Sequence, residues 1–295
     1  MKTKIQNRLI DITIFIILMF VVLITLYPFW NALVISFNKG LDTAKGGITI
    51  WPRAFTLDNY RVVVVDPVFL RAIFISVARV AAGTTTSIFF TAMMAYGLSK
   101  SYLVGQKQLM KLSIITMYFG GGIIPLYLLI HSLGLIDTFS ALFIPHLIGV
   151  YNVIVFRSFF LSLPASLEEA AKIDGCNHIQ IFFKIVLQTS KPIIATLSLF
   201  HAVFLWNDYF NAGLYISNVS LLPVQNYLMN VINSSNYAEV MAQLKGGVGS
   251  YIKPTVPGKS LQMATLMVST LPIILVYPFV QKYFVKGVMI GSIKE

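Results

Sequence analysis

The chain has 295 residues, 57% of them hydrophobic and 11% charged, and its mean hydropathy is +0.78. A soluble domain carries roughly a quarter charged residues, so this composition excludes a water-soluble globular protein and points to apolar segments of bilayer length, about 20 residues each. The formal net charge of +11 would suggest nucleic acid or acidic partners in a soluble chain, but in a membrane chain the crowding of basic residues into cytoplasmic loops accounts for it.

Six apolar segments follow one another. The first runs over about 9–37, behind Lys2, Lys4 and Arg8. That start resembles a signal peptide, but the apolar run is too long for one and no small-residue cleavage site follows, so an uncleaved span is expected. The others cover about 70–98, 109–130, 139–161, 192–216 and 261–283. The pattern predicts an all-α, polytopic membrane protein of six transmembrane helices forming a single domain over 1–295. Short loops set its orientation. Lys100, Lys107 and Lys111 crowd one of them, whereas 131–137 holds no Lys or Arg. Both termini are therefore expected in the cytoplasm, with a cytoplasmic loop over 162–191 and external loops over 38–69 and 217–259. Loops of that length are uncommon without a function, so the two external ones are expected to form docking or gating surfaces. The Gly/Pro-rich stretch from Gly246 to Gly258 reads equally well as a plain linker. The single Cys176 forms no internal disulfide and reads as a small turn residue beside Gly175.

The cytoplasmic loop is the most informative segment. It runs Ser166-Leu-Glu-Glu-Ala-Ala-Lys-Ile-Asp-Gly175 and continues to Ile185-Val-Leu187. Ser166 with Glu169 three residues on predicts a capping box, and Glu168 and Glu169 suit the positive end of a helix dipole. Gly175 suits a left-handed C-cap. Asn177 with Gln180 predicts the start of a second helix, whose Ile181, Phe182, Ile185 and Val186 form an apolar face. Ala170 and Ala171 would let another backbone approach closely. The loop is one of two things on this evidence, an ordinary hairpin or a docking element. It is not a nucleic-acid reader, since Lys172, Lys184 and Lys191 are balanced by Glu168, Glu169 and Asp174.

These residues resemble a known pattern. Glu169-Ala170-Ala171, three residues, Gly175, nine residues, then Ile185-x-Leu187 is similar to the EAA loop of the membrane subunits of binding-protein-dependent ATP-binding-cassette importers. The resemblance implies that this loop forms a coupling helix seated on an ATPase subunit, with Glu168, Glu169, Ala170, Ala171, Asp174, Gly175, Ile185 and Leu187 at the contact. Gln188 departs from the proline usual in the family after the final leucine. Phe55-Thr-Leu-Asp-Asn-Tyr60, Trp206-Asn-Asp208 and Gln281-Lys-Tyr-Phe-Val-Lys-Gly287 resemble the sugar-importing, maltose-type permease subunits. Gly120-Gly-Gly-Ile-Ile-Pro125 and His131-Ser-Leu-Gly-Leu-Ile-Asp137 resemble a branch handling larger or modified oligosaccharides. The implied partners are a second homologous permease, two ATPase subunits using ATP and Mg, an extracytoplasmic solute-binding protein and a sugar, in a prokaryotic cell membrane. The tail from Gly287 to Glu295 is implied to reach the ATPase interface. The chain itself is implied to bind no cofactor.

Ionisable groups at membrane depth usually face a protein interior or a watery path. Here they are Arg79, His146, Arg157, His201 and Asp208. Trp206, Asn207, Asp208, Tyr209 and Asn211 combine aromatic faces with hydrogen-bonding groups, a combination that suits a sugar, and they are expected to line the translocation path. Tyr151 and Asn152 are further candidates. The structural alternative has Asp208 pairing with Arg79 or capping a broken helix. His146 follows Pro145 and is expected to satisfy backbone groups that the proline frees. Gly120–Gly122 lack the Lys-Ser/Thr of a phosphate-binding loop, and read instead as permitting close helix packing or a break in the third span. An ion-coupled secondary transporter of a small polar solute is the rival reading, with Asp208 as its coupling carboxylate. A membrane-embedded enzyme lacks a nucleophile or metal set, and no Cys, His or carboxylate group has metal-ligand spacing.

Overall fold

The computed structural model describes the backbone over residues 2–244 and 258–292, and side chains over 10–234 and 258–276. Among the described residues it is almost wholly helical; one isolated antiparallel bridge joins Asn38 to Phe55. Among the described residues, three helices are long and apolar enough to cross a membrane, Ile10–Ser36, Pro67–Ser99 and Lys259–Val276, and the number rises to five if each of two bent pairs counts as one span.

The bent pairs interrupt the third and fourth apolar segments, the third at the glycines read as permitting either close packing or a break. The third apolar segment is two helices, Gln106–Tyr118 and Ile123–Ser132, set at 114° to one another. The break falls at Gly120–Gly122, where Gly122 adopts φ 90°, ψ 174°, a backbone state open essentially to glycine alone. The fourth segment opens as 3-10 turns over Phe139–Leu142 and Ile144–His146 and bends by 56° into the helix Val150–Ser162. The fifth runs as the helix Lys191–Asn207, stops at Asp208 and resumes as Phe210–Tyr215. The expected external loop over 217–259 contains the helix Val224–Leu244, so Asn233–Asn236 are helical rather than loop residues. Of its Gly/Pro-rich end, only Gly258 lies within the described residues.

The chain divides into two compact units, one of 1–70 with 228–271 and one of 71–227 with 272–295. In the first, the segment after the long N-terminal helix folds back on that helix's end. Asn38, fully buried, donates from Nδ2 to Asp42 Oδ2 at 3.0 Å and Thr43 Oγ1 at 2.9 Å, and its Oδ1 accepts from the Ala54 amide at 2.7 Å. The Phe55–Tyr60 motif clamps the same place. Asn59 Nδ2 donates to the carbonyls of Ser36 and Asn38, each at 2.9 Å, while Phe37 lies against the rings of Phe55 and Tyr60. Arg53 closes the turn, donating to Asp42 and to the Gly46 carbonyl.

The second unit has two apolar clusters strung along the helix Pro67–Ser99. One gathers Ile75, Ile130, Leu142, Ala212 and Tyr215. The other gathers Ile88, Ala92, Phe156, Ile181, Phe182 and Leu197. Gly83 lies between them, and a Cβ there would meet Leu205 Cδ1 at 2.6 Å and Phe143 Cβ at 2.8 Å. Only a glycine lets these segments approach so closely.

Two predictions follow from this packing. Gly83→Val overpacks the crossing and is expected to cost about 1–3 kcal/mol, seen as a lower unfolding temperature in detergent with a normal amount of membrane-inserted chain. The Asp42 carboxyl is held below its ordinary 3.8, first by the Asn38 hydrogen bond and then by Arg53 and Lys45, against the opposing effect of burial. A depressed folded-state value contributes stability above the unfolded value and loses it as pH falls through the folded one. The near-ultraviolet signal of the Trp30–Trp51 pair, whose centroids are 6.1 Å apart, is therefore expected to weaken below about pH 4 in the wild type, and Asp42→Asn is expected to flatten that transition.

Candidate functional site

The loop read as a docking element is a short helix, Ala165–Ile173, followed by a turn and a second helical stretch over 178–189. Ser166 does not cap it. Pro164, extended at ψ 127°, is the residue before the first helical one, no side chain caps the helix, and Ser166 already sits at the second helical position. The C-terminus follows expectation. Gly175 at φ 78° donates its amide to the Lys172 carbonyl at 3.0 Å, and Cys176 donates to Ala171 at 2.9 Å, which together form a Schellman closure. The next helix opens with a reciprocal capping box, the Asn177 amide donating to Gln180 Oε1 at 2.8 Å and the Gln180 amide to Asn177 Oδ1 at 2.9 Å. Phe182–Val186 is a π-helical turn, a feature frequent at functional sites.

The loop's expected contact residues divide into two groups. Ala171 is buried, Ile185 and Leu187 are partly buried against the apolar cluster, and the Glu168 carboxylate pairs with Lys100 Nζ, which also lies 4.2 Å from the centre of the Tyr96 ring. These residues root the loop. Glu169, Ala170, Asp174 and Gly175 are exposed, together with Leu167 and Ile173, the latter 86% exposed. They form the loop's free face, and Leu167 and Ile173 are apolar members that the motif alone did not single out. Tyr102 braces the turn by a 3.2 Å hydrogen bond between its hydroxyl and His178 Nδ1. Partial burial and then the Glu168 charge push the Tyr102 phenol above its ordinary 10.0.

The second place is the break at Asp208. Oδ1 of this residue accepts from the Asn211 amide at 3.1 Å and from Asn211 Nδ2 at 3.0 Å, which starts the helix Phe210–Tyr215. Oδ2 pairs with Nη2 of Arg79. The same guanidinium donates from Nη1 to the Asp208 carbonyl and from Nε to the Leu142 carbonyl, each at 2.8 Å. Both charged side chains are sequestered, Arg79 1% and Asp208 6% exposed. Both structural alternatives for Asp208, pairing with Arg79 and capping a broken helix, are realised together.

Around this pair, Val203, Phe204, Asn207, Asp208, Tyr209 and Phe210 line an open depression of about 300 Å³. Asn207 and Tyr209 are exposed on it. Trp206 instead is buried on a separate apolar groove of about 620 Å³ shared with Val77, Leu199 and Val276. Tyr151 is exposed at the start of Val150–Ser162, and neither it nor Asn152 lines the depression. Asn226, which carried no sequence signal, holds the break by donating from Nδ2 to the Tyr209 carbonyl at 2.8 Å. His146 does not satisfy backbone groups through Nε2, which has no hydrogen-bond partner among the described residues; its ring packs edge-on to Phe204 at 5.0 Å. The His131–Asp137 motif finds a local reason. Asp137, at φ 57°, accepts through Oδ1 from the amides of Ser217 and Asn218 at 2.6 and 2.8 Å. Among the described residues, no group of three or more His, Cys, Asp or Glu is placed to hold a metal.

Comparison with known proteins agrees with this architecture. Residues 62–290 match the family described as binding-protein-dependent transport system inner membrane component. The chain is 42% identical to a polygalacturonan/rhamnogalacturonan transport system permease protein, YtcP, of Bacillus subtilis (strain 168), covering 98% of this chain and 99% of that protein. It is 41% identical to protein LplC of the same organism, over 98% and 96% of the two chains. It is similar also to a chain in the crystal structure of a bacterial ABC transporter involved in the import of the acidic polysaccharide alginate, with 29% identity, a TM-score of 0.83, and 95% and 98% of the two chains covered. The broken helices, the rooted loop and this match across most of the sequence establish that the chain belongs to the binding-protein-dependent transport system inner membrane components, as a bacterial membrane permease subunit and not an enzyme.

Proposed function

We propose that the chain is one permease of an ATP-driven importer of oligosaccharides, and specifically of fragments of acidic polysaccharides. It crosses the membrane six times with both termini in the cytoplasm, and a second, related permease completes the path. Two ATPase subunits using ATP and Mg seat on the loops of the two permeases, and an extracytoplasmic binding protein delivers the sugar to the outer segments. ATP binding draws the loops together and opens the path outward; hydrolysis resets it. Contacts that differ between the two states drive the exchange.

The observation that carries this reading is the free face of Ala165–Ile173. A helix with Glu169 and Ala170 exposed, apolar Leu167 and Ile173 beside them, and its opposite side fixed by Ala171 and by the Glu168–Lys100 pair is built to receive another protein. The acidic substrate class is supported by the transport roles of the polygalacturonan/rhamnogalacturonan permease and the alginate importer. Asn207, Tyr209 and Asn211 supply the sugar-binding side of the path, with Asp208 beneath, and Trp206, Tyr151 and Asn152 belong to its surroundings. The ion-coupled rival finds no support, because its coupling carboxylate, Asp208, is already paired with Arg79.

Tagged wild type extracted gently from its own membrane is expected to bring down an ATPase and a second permease. Ala170→Glu changes an exposed surface, where substitutions usually shift stability by no more than about 0.5 kcal/mol. It is expected to retain the permease and lose the ATPase. A variant that still holds the ATPase in wild-type amount refutes the docking face. On the path, Asn207→Ala removes one hydrogen-bonding group and is expected to weaken apparent affinity for the oligosaccharide by about fivefold, equivalent to roughly 1 kcal/mol. Unchanged half-saturation in uptake assays would remove Asn207 from the path.

A further inference from the structure

The buried pair raises a question that packing alone does not answer. Exchanging a buried ion pair for apolar side chains is often neutral or stabilising, so stability is a weak reason for placing two charges at this depth. The geometry of the break supplies another. The break needs a side-chain acceptor, and Asp208 Oδ1 provides it, taking both the amide and the Nδ2 of Asn211. Asp208 lines the depression, and among the described residues it is the one acidic residue that does. Uncompensated, its charge would oppose any substrate that itself carries carboxylates, and like charges brought together at an interface cost several kcal/mol. Arg79 does not line the depression. It reaches the Asp208 carboxylate from a buried position, fixed by the Leu142 and Asp208 carbonyls, with 1% of its side chain exposed. A lysine, with one point-like ammonium, could not hold both carbonyls and the carboxylate in a single planar geometry.

We propose that Arg79 is a specificity-determining positioning residue. By neutralising Asp208 from its buried position, it gives the path an uncharged floor of amide and aromatic groups over which an anionic oligosaccharide passes. Arg79 touches no substrate and acts through Asp208. The proposal rests on the reading of Asn207–Asn211 as path and of the substrate as acidic.

The test uses the assembled importer, with wild type, Arg79→Gln, Asp208→Asn and the double variant, and two labelled probes: an oligogalacturonide and its fully methyl-esterified, uncharged counterpart. Arg79→Gln is expected to cut uptake of the acid by about tenfold or more, with a much smaller effect on the ester. Adding Asp208→Asn to Arg79→Gln is expected to bring uptake of the acid, normalised to the assembled complex recovered, back to within about threefold of wild type. A double variant as impaired as Arg79→Gln, or equal losses for both probes, overturns the proposal. Should Arg79→Gln fail to assemble, Asp208→Asn decides. Its amide keeps the Oδ1 cap while removing the negative charge, so the ratio of acid to ester uptake per assembled complex is expected to match or exceed that of wild type, and a fall of about tenfold in that ratio overturns the role. A wild-type complex that takes up the ester and refuses the acid overturns the substrate reading and this role together; a wild type that takes up the acid, with variants indifferent to charge, overturns this role alone.

Discussion

The second unit depends on one constraint: helices broken inside a bilayer leave backbone carbonyls and amides that water cannot satisfy. Arg79 meets that constraint where two breaks converge. Its Nε takes the Leu142 carbonyl at the start of the bent fourth segment, and its Nη1 takes the Asp208 carbonyl at the end of Lys191–Asn207. The Asp208 carboxylate supplies the countercharge that makes a guanidinium tolerable there and caps the helix that follows. Removing one member of such a pair leaves an unpaired buried charge, a loss of about 3–5 kcal/mol, so the two residues stand or fall together. The apolar clusters around Ile75 and Ile88 lie on either side of Arg79 along the same helix.

This arrangement explains what the sequence made legible. The helical membrane class followed from composition, because about 20 consecutive apolar residues have few other uses. The interruptions were written as punctuation: Gly120–Gly122, Pro145, and the polar Asn207-Asp208 pair inside an apolar run. Hydropathy averages over that punctuation, so Gly120–Gly122 left close packing and a break in the 109–130 segment both open, and the backbone state of Gly122 resolves packing from breaking. The helix Val224–Leu244 was illegible for the opposite reason. In its middle, Asn233-Ser-Ser-Asn236 is a run of weak helix formers that reads as a loop. Ser166 misled because Pro164, two residues earlier, had already turned the chain into the helix.

The site was legible in part, and unevenly. The glycine spacing located the turn at Gly175 and the Asn177–Gln180 box correctly, since both are local chemistry. Motif reading could not say which face of a short helix is free. Grouping Ala171, Ile185 and Leu187 with Glu169 and Ala170 merged residues that root the loop with residues that present it. Nor did anything local announce the Leu142 carbonyl or Asn226 as partners of the break, because they come from 63 and 17 residues away in the chain.

The rooting has a mechanical consequence for the proposed coupling. Ala165–Ile173 is tied to the end of Pro67–Ser99 through Glu168 and Lys100, while Ile181–Val186 packs in one cluster with Ile88, Ala92 and Leu197. The loop therefore grips Pro67–Ser99 and Lys191–Asn207, the two helices that carry Arg79 and end at Asp208. A force applied to the free face of the loop acts on both members of the buried pair through packed, well-satisfied structure. Close-packed interiors transmit strain rather than absorb it. Breaks at Asp208 and near Leu142 are where such a pair of helices can change angle at little internal cost, since the i→i−4 ladder is already interrupted there. Coupling and path are on this view two ends of the same pair of helices, with the Arg79–Asp208 clasp as the joint between them.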